Sequence, residues 1–68
     1  MPGTYKKIEI VGTSTVGFAD AVKAAVNDAS KTVHNMDWFE MVEMRGRIKS
    51  GQVAEFQVTI RIGFKLER

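Results

Sequence analysis

Apolar and polar positions repeat at two different periods along this chain, and each change of period marks an element. In TYKKIEIVGTST, Ile8 and Ile10 alternate with Lys7 and Glu9, which predicts a strand with one apolar face. Gly12 and the cluster Thr13, Ser14, Thr15 end it, and Ser14 or Thr15 is the expected hydroxyl cap of the next element. From Val16 to Val33 the period lengthens. Phe18, Ala21, Val22, Ala25, Val26, Ala29 and Val33 form one apolar stripe, while Asp20, Lys23, Asn27, Asp28 and Lys31 fall on a solvated face. A helix of about eighteen residues would span about 27 Å. Its inward residues are mostly Ala and Val, so it can lie close to what it covers. Asn35 is placed to cap its end in the left-handed conformation.

NMDWFEMVEMRGRI predicts a second strand, but its alternation breaks. Val42 and Met44 share parity with Trp38 and Ile48, whereas Phe39 and Met41 share parity with Arg45 and Arg47. A β-bulge near Glu40–Met41, inserting one extra residue, would put Phe39, Val42 and Met44 inside and Trp38, Glu43 and Arg45 outside. KSGQ is a short turn with Gly51 available for positive φ. In VAEFQVTIRIGFKLE, Ala54, Phe56, Val58, Ile60, Ile62, Phe64 and Leu66 alternate with Glu55, Gln57, Thr59, Arg61 and Lys65. The turn length makes strands two and three an antiparallel hairpin. The predicted class is α+β, in the order β-α-β-β: a three-stranded antiparallel sheet partly wrapped around one helix, with residues 1–68 as a single domain.

Size adds a constraint. A chain of 68 residues is marginal alone, and it has no cysteine to staple it. Disulfides, zinc–thiolate sites and thiol catalysis are excluded. The last strand, near fourteen residues, could reach about 46 Å, beyond what one helix shields. Self-association is the expected remedy. Net charge is +2, too weak by itself to indicate nucleic acid. No apolar run approaches the length of a membrane span, and MPGTYKK lacks the apolar core of a signal peptide. A cytoplasmic protein is the expectation.

Trp38, the only tryptophan, stands at the break in the pattern. It is either core or interface packing or a stacking surface for a flat aromatic ligand. Gln57 on the neighbouring strand offers a donor and an acceptor, which suits the imide edge of a flavin or a nucleobase edge if it shares a face with Trp38. Arg45 and Arg47 share a strand face and can hold a phosphate or pair with Glu43 and Glu55. Lys65 lies on the outward face of strand three. Glu40 and Glu43 point to opposite faces of a regular strand, a poor acid–base pair. His34 and Asp37 lack further ligands for a metal site. There is no serine–histidine–carboxylate set and no phosphate loop, so no enzyme is predicted.

IEIVGTST, AVKAAVNDASKTVHNMDWFEM, MRGRI and GQVAEFQVTIRIGFKLE, in this order, resemble the dodecins, from about Tyr5 to Glu67. The resemblance implies a β-α-β-β subunit in a hollow homododecamer. It implies binding of FMN, riboflavin or lumichrome, stacked in pairs between tryptophans of symmetry-related subunits, for storage rather than turnover. Some members also hold coenzyme A. Trp38 matches the stacking tryptophan, Gln57 the glutamine at the isoalloxazine edge, and Arg45 a position near the phosphate. Position 65 often carries arginine in the family; Lys65 keeps the charge without the planar fork. A nucleic-acid module, with an open sheet, an aromatic and arginines, is one competing expectation. A purely structural oligomer is the other.

Overall fold

The computed structural model describes residues 2–66. The chain runs through β1 (Tyr5–Ser14), α1 (Phe18–Ala29), β2 (Met36–Lys49) and β3 (Gln52–Lys65). β3 lies between β1 and β2 and pairs antiparallel with both. It carries the most regular alternation in the sequence, and its apolar set meets the helix. Val58, Ile60 and Ile62 are buried with Ala21 and Ala25. Phe18 closes the start of the helix edge-on against Phe56, with ring centroids 5.1 Å apart. The expected α+β class and β-α-β-β order stand.

The helix is shorter than its periodicity suggests: 12 residues, where an apolar stripe running to Val33 predicted about eighteen. Ser30 is the C-cap, and its hydroxyl turns back onto the carbonyl of Asn27 at 2.6 Å. Thr32, Val33 and His34 follow, residues of modest helix propensity, and the chain leaves in turns. Asn35 does take the left-handed conformation, at φ 63°, but at the entry to β2 rather than at the helix end. The N-cap is Gly17, with no side-chain capping bond, so neither Ser14 nor Thr15 caps. The Ser14 hydroxyl instead accepts from the N–H groups of Val16 and Gly17 and donates to Asp20 at 2.7 Å.

β2 departs from regular pairing at three places, between Met36 and Trp38, Met41 and Glu43, and Arg47 and Ile48. The middle irregularity is the expected bulge, slightly later than Glu40–Met41, with Val42 as the unpaired residue. Phe39 and Met44 fall opposite Ile62 and Val58 on the helix side. Trp38, Glu43 and Arg45 fall opposite Gly63, Thr59 and Gln57 on the outer side, as expected. Met41, not Val42, is the residue paired on the helix side, opposite Ile60. Both are apolar, so the pattern could not say which would be left out. The hairpin turns through Ser50 and Gly51, both at positive φ (53° and 76°), as a primed two-residue turn requires.

The helix rests on β1 and β3. The helix-side residues of β2, Phe39, Met41, Met44 and Ile48, stay exposed. The hairpin makes the subunit 51 Å long. The strand lengths placed the excess apolar face on the last strand; the exposed strip lies on β2 instead, because the helix covers the middle of β3.

Candidate functional site

The outer face of the sheet carries the candidate residues, and register fixes their order. Tyr5 and Lys65 pair at one end; Lys7, Gly63 and Trp38 form the next row; Glu9, Arg61 and Glu40 follow. Then come Val11, Thr59 and Glu43, and after them Thr13, Gln57 and Arg45. Glu55 and Arg47 close the far end.

The Trp38 indole lies across Gly63. A Cβ at position 63 would run into the six-membered ring, so glycine is what lets the ring settle on β3. Tyr5 leans on its edge, with centroids 5.2 Å apart and planes tilted by 52°. Glu40 stands beside the ring, and its carboxylate takes a hydrogen bond from Lys7 Nζ at 2.8 Å. The tryptophan is 39% exposed: one face is seated on the sheet, and part of the ring is open to solvent. It is not a core residue of the single chain.

Gln57 is different. It is 8% exposed, the one buried polar side chain among the described residues. Its Oε1 accepts from Arg45 Nε at 2.9 Å, and its Nε2 donates to Glu55 Oε1 at 2.9 Å. Arg47 Nε lies 3.4 Å from the same Glu55 oxygen, and Arg45 Nη1 lies 3.9 Å from Glu43. The arginines therefore share a face and also make the carboxylate pairs that were their alternative role.

Trp38 and Gln57 share the outer face, as the stacking role needs. They do not meet. Gln57 and Gly63 are six residues apart on β3, about 20 Å at strand spacing. Lys65 sits at the tryptophan end, and Arg45 and Arg47 at the glutamine end. The bulge also puts Glu40 and Glu43 on one face, where a regular strand would separate them. Each is tied to a cation, Lys7 and Arg45 respectively.

Residues 4–67 match the dodecin family model. The chain belongs to the dodecin family. A dodecin of Thermus thermophilus is 48% identical over 67 residues, covering 98% of this chain and 97% of that one. The dodecin structure from Streptomyces coelicolor superposes with a TM-score of 0.93 at 49% identity, over 96% of this chain and 93% of that one. That from Streptomyces davaonensis gives 0.92 at 49% identity, over 96% of each.

Against this dodecin background, the neighbours of Trp38 are what sequence reasoning missed. Tyr5, Lys7 and Glu40 all touch the tryptophan or its partner. Their outward parity was visible, but the offset between β1 and β3 that sets them beside residue 38 was not. The Tyr5 phenol is pushed above its ordinary pKa by desolvation, then by the charge and hydrogen bond of Asp37. Glu40 is held below the usual carboxylate range, first by the hydrogen bond from Lys7 and then by the charges of Lys7 and Arg61; desolvation opposes the shift, and the nearby Trp38 adds a little. A depressed acid contributes stability above its unfolded pKa and loses it as pH falls through the folded one. The Lys7–Glu40 pair beside the indole should therefore release only below about pH 4.5, the ordinary value of the acid. Trp38 emission is expected to show an acid transition there that Glu40→Gln lacks. An identical transition in both proteins would assign it elsewhere.

Proposed function

We propose that this chain stores and sequesters a flavin, FMN or riboflavin, stacked on the Trp38 indole between copies of the chain. The supporting observation is an indole seated on Gly63 with part of its ring open, on a face that also carries a polar amide and the cations Arg45, Arg47 and Lys65. These residues fit a flavin. A planar indole suits its tricyclic ring, the Gln57 amide suits its imide edge, and Arg45, Arg47 and Lys65 suit a phosphate.

One chain does not complete such a site. The separation of about 20 Å between Trp38 and Gln57 exceeds the reach of a single isoalloxazine ring. If one ligand touches both, a second copy supplies one of them. The uncovered strip of Phe39, Met41, Met44 and Ile48 gives copies a reason to associate. The homododecamer of the family resemblance is the assembly proposed.

Stacking favours binding through dispersion and buried area, with about 0.5–1.5 kcal/mol per aromatic pair beyond area alone. A bound flavin supplies an electron-poor ring that accepts an electron from indole when excited, which quenches its emission. Storage in this form suppresses flavin photochemistry. The proposed role is binding, and no turnover is proposed.

Mixing flavin-free protein with FMN or riboflavin is the test. Emission of the flavin is expected to fall with saturating, stoichiometric behaviour. Unchanged emission in the presence of folded protein would refute flavin storage.

A further inference from the structure

Gln57 is the buried polar side chain of the outer face, and its amide has two ends of opposite chemistry. A guanidinium can only donate, and an ionised carboxylate can only accept. Arg45 stands against the oxygen and Glu55 against the nitrogen, each at 2.9 Å. A flipped amide would set NH2 against Arg45 and oxygen against Glu55, losing both bonds and facing like against like. The polarity of Gln57 is therefore fixed before any ligand arrives. Its oxygen points to β2, and its nitrogen points along β3 towards the hairpin turn. Glu55 is itself steadied by Arg47 at 3.4 Å. With these partners satisfied, the amide keeps one acceptor site and one N–H for a ligand.

We propose that Glu55 is a positioning residue for ligand recognition: it orients and restrains the Gln57 amide so that its free acceptor and N–H meet a ring N–H beside a carbonyl. This deepens the flavin reading and rests on it. Glu55 does not touch the ligand. It lowers the cost of ordering the amide on binding, and it excludes the orientation with the wrong polarity. A ligand edge that lacks the N–H leaves the amide oxygen with Arg45 alone as donor and forfeits one recognition hydrogen bond.

The test pairs two ligands with three proteins. Riboflavin and N3-methylriboflavin, which lacks the imide N–H, are titrated by emission quenching into the parent, Glu55→Ala and Glu55→Gln. The parent is expected to prefer riboflavin about tenfold, the value of one recognition hydrogen bond. Glu55→Ala should erase most of that preference by weakening riboflavin while leaving the methylated ligand unchanged. Glu55→Gln, which keeps one acceptor oxygen, should fall between. An equal loss for both ligands would mark Glu55 as merely structural and overturn the proposal, as would a preference that survives Glu55→Ala. Isotope-edited NMR of the ligand-free assembly separates this from failure of the flavin reading. The Gln57 Nε2 proton that faces Glu55 should lie downfield in the parent and move upfield in Glu55→Ala. Resonances indifferent to Glu55 would overturn the positioning role whatever the ligand does; quenching of neither ligand by the parent would refute the flavin reading instead.

Discussion

Trp38→Ala is expected to bind riboflavin about a hundredfold more weakly than the parent and to keep its assembly. An indole face offers on the order of 100 Å², about half the area a large aromatic side chain buries. At about 25 cal/mol per Å² this is about 2.5 kcal/mol, and the ring–ring contact adds about 0.5–1.5 kcal/mol. A loss near 3 kcal/mol corresponds to two orders of magnitude in affinity. The fold should tolerate the change, because Trp38 lies outside the core of Val58, Ile60, Ile62, Ala21 and Ala25. Its removal uncovers Gly63 and takes one ring contact from Tyr5 but opens no core cavity. Titration of riboflavin emission, with sizing of the same samples, separates the possibilities. Dissociation of the assembly in Trp38→Ala would show that the tryptophan packs an interface, and the storage role would lose its central residue.

The nucleic-acid alternative fares worse on the same face. Stacking successive bases calls for several open aromatics in a basic groove. Here Tyr5 leans on Trp38, and the rows between them and Gln57 carry Glu9, Glu40 and Glu43. Paired with Arg61, Lys7 and Arg45, those carboxylates use up the cations that a basic groove would offer a phosphate chain.

The fold was legible because two periods were. Ile8 and Ile10, the alanine stripe from Ala21 to Ala29 and the run from Val58 to Phe64 each state one face without ambiguity. Where the pattern faltered, at Phe39 to Val42, the faltering was the signal, and only the identity of the extra residue was hidden. The helix end was misjudged for a related reason: Val33 continues the stripe, yet the Ser30 hydroxyl turns back onto the carbonyl of Asn27 and the helix ends there first. The site was less legible. Parity showed that Trp38, Gln57, Arg45, Arg47 and Lys65 share a face once a bulge is granted. Register decides distance along that face, and register is fixed by pairing between strands that the sequence does not index. Hence the separation of Trp38 from Gln57, and the contacts of Trp38 with Tyr5 and Glu40, emerge only from the fold.

Gly12→Val should have the largest effect on stability, lowering the apparent unfolding temperature by an amount on the order of 10–20 °C. A Cβ at position 12 would meet the carbonyl oxygen of Ala21 and the methyl of Ala25. These atoms belong to the helix backbone and to a side chain with no rotamer to change, so the helix itself must lift. It rests mainly on β1 and β3, and lifting it from one loosens its grip on the other. Overpacking of this kind costs about 1–3 kcal/mol and more where backbone must move. Gly63→Ala makes the contrast. There the obstacle is the Trp38 ring, the end of a side chain that can swing away. That variant should keep its unfolding temperature within a few degrees and lose flavin affinity, since the indole can no longer lie on β3. Thermal scans of both proteins without ligand decide the matter. If Gly12→Val melts with the parent, the helix does not depend on its close approach to β1. If Gly63→Ala melts early, the glycine under the indole serves the fold and not the stacking surface.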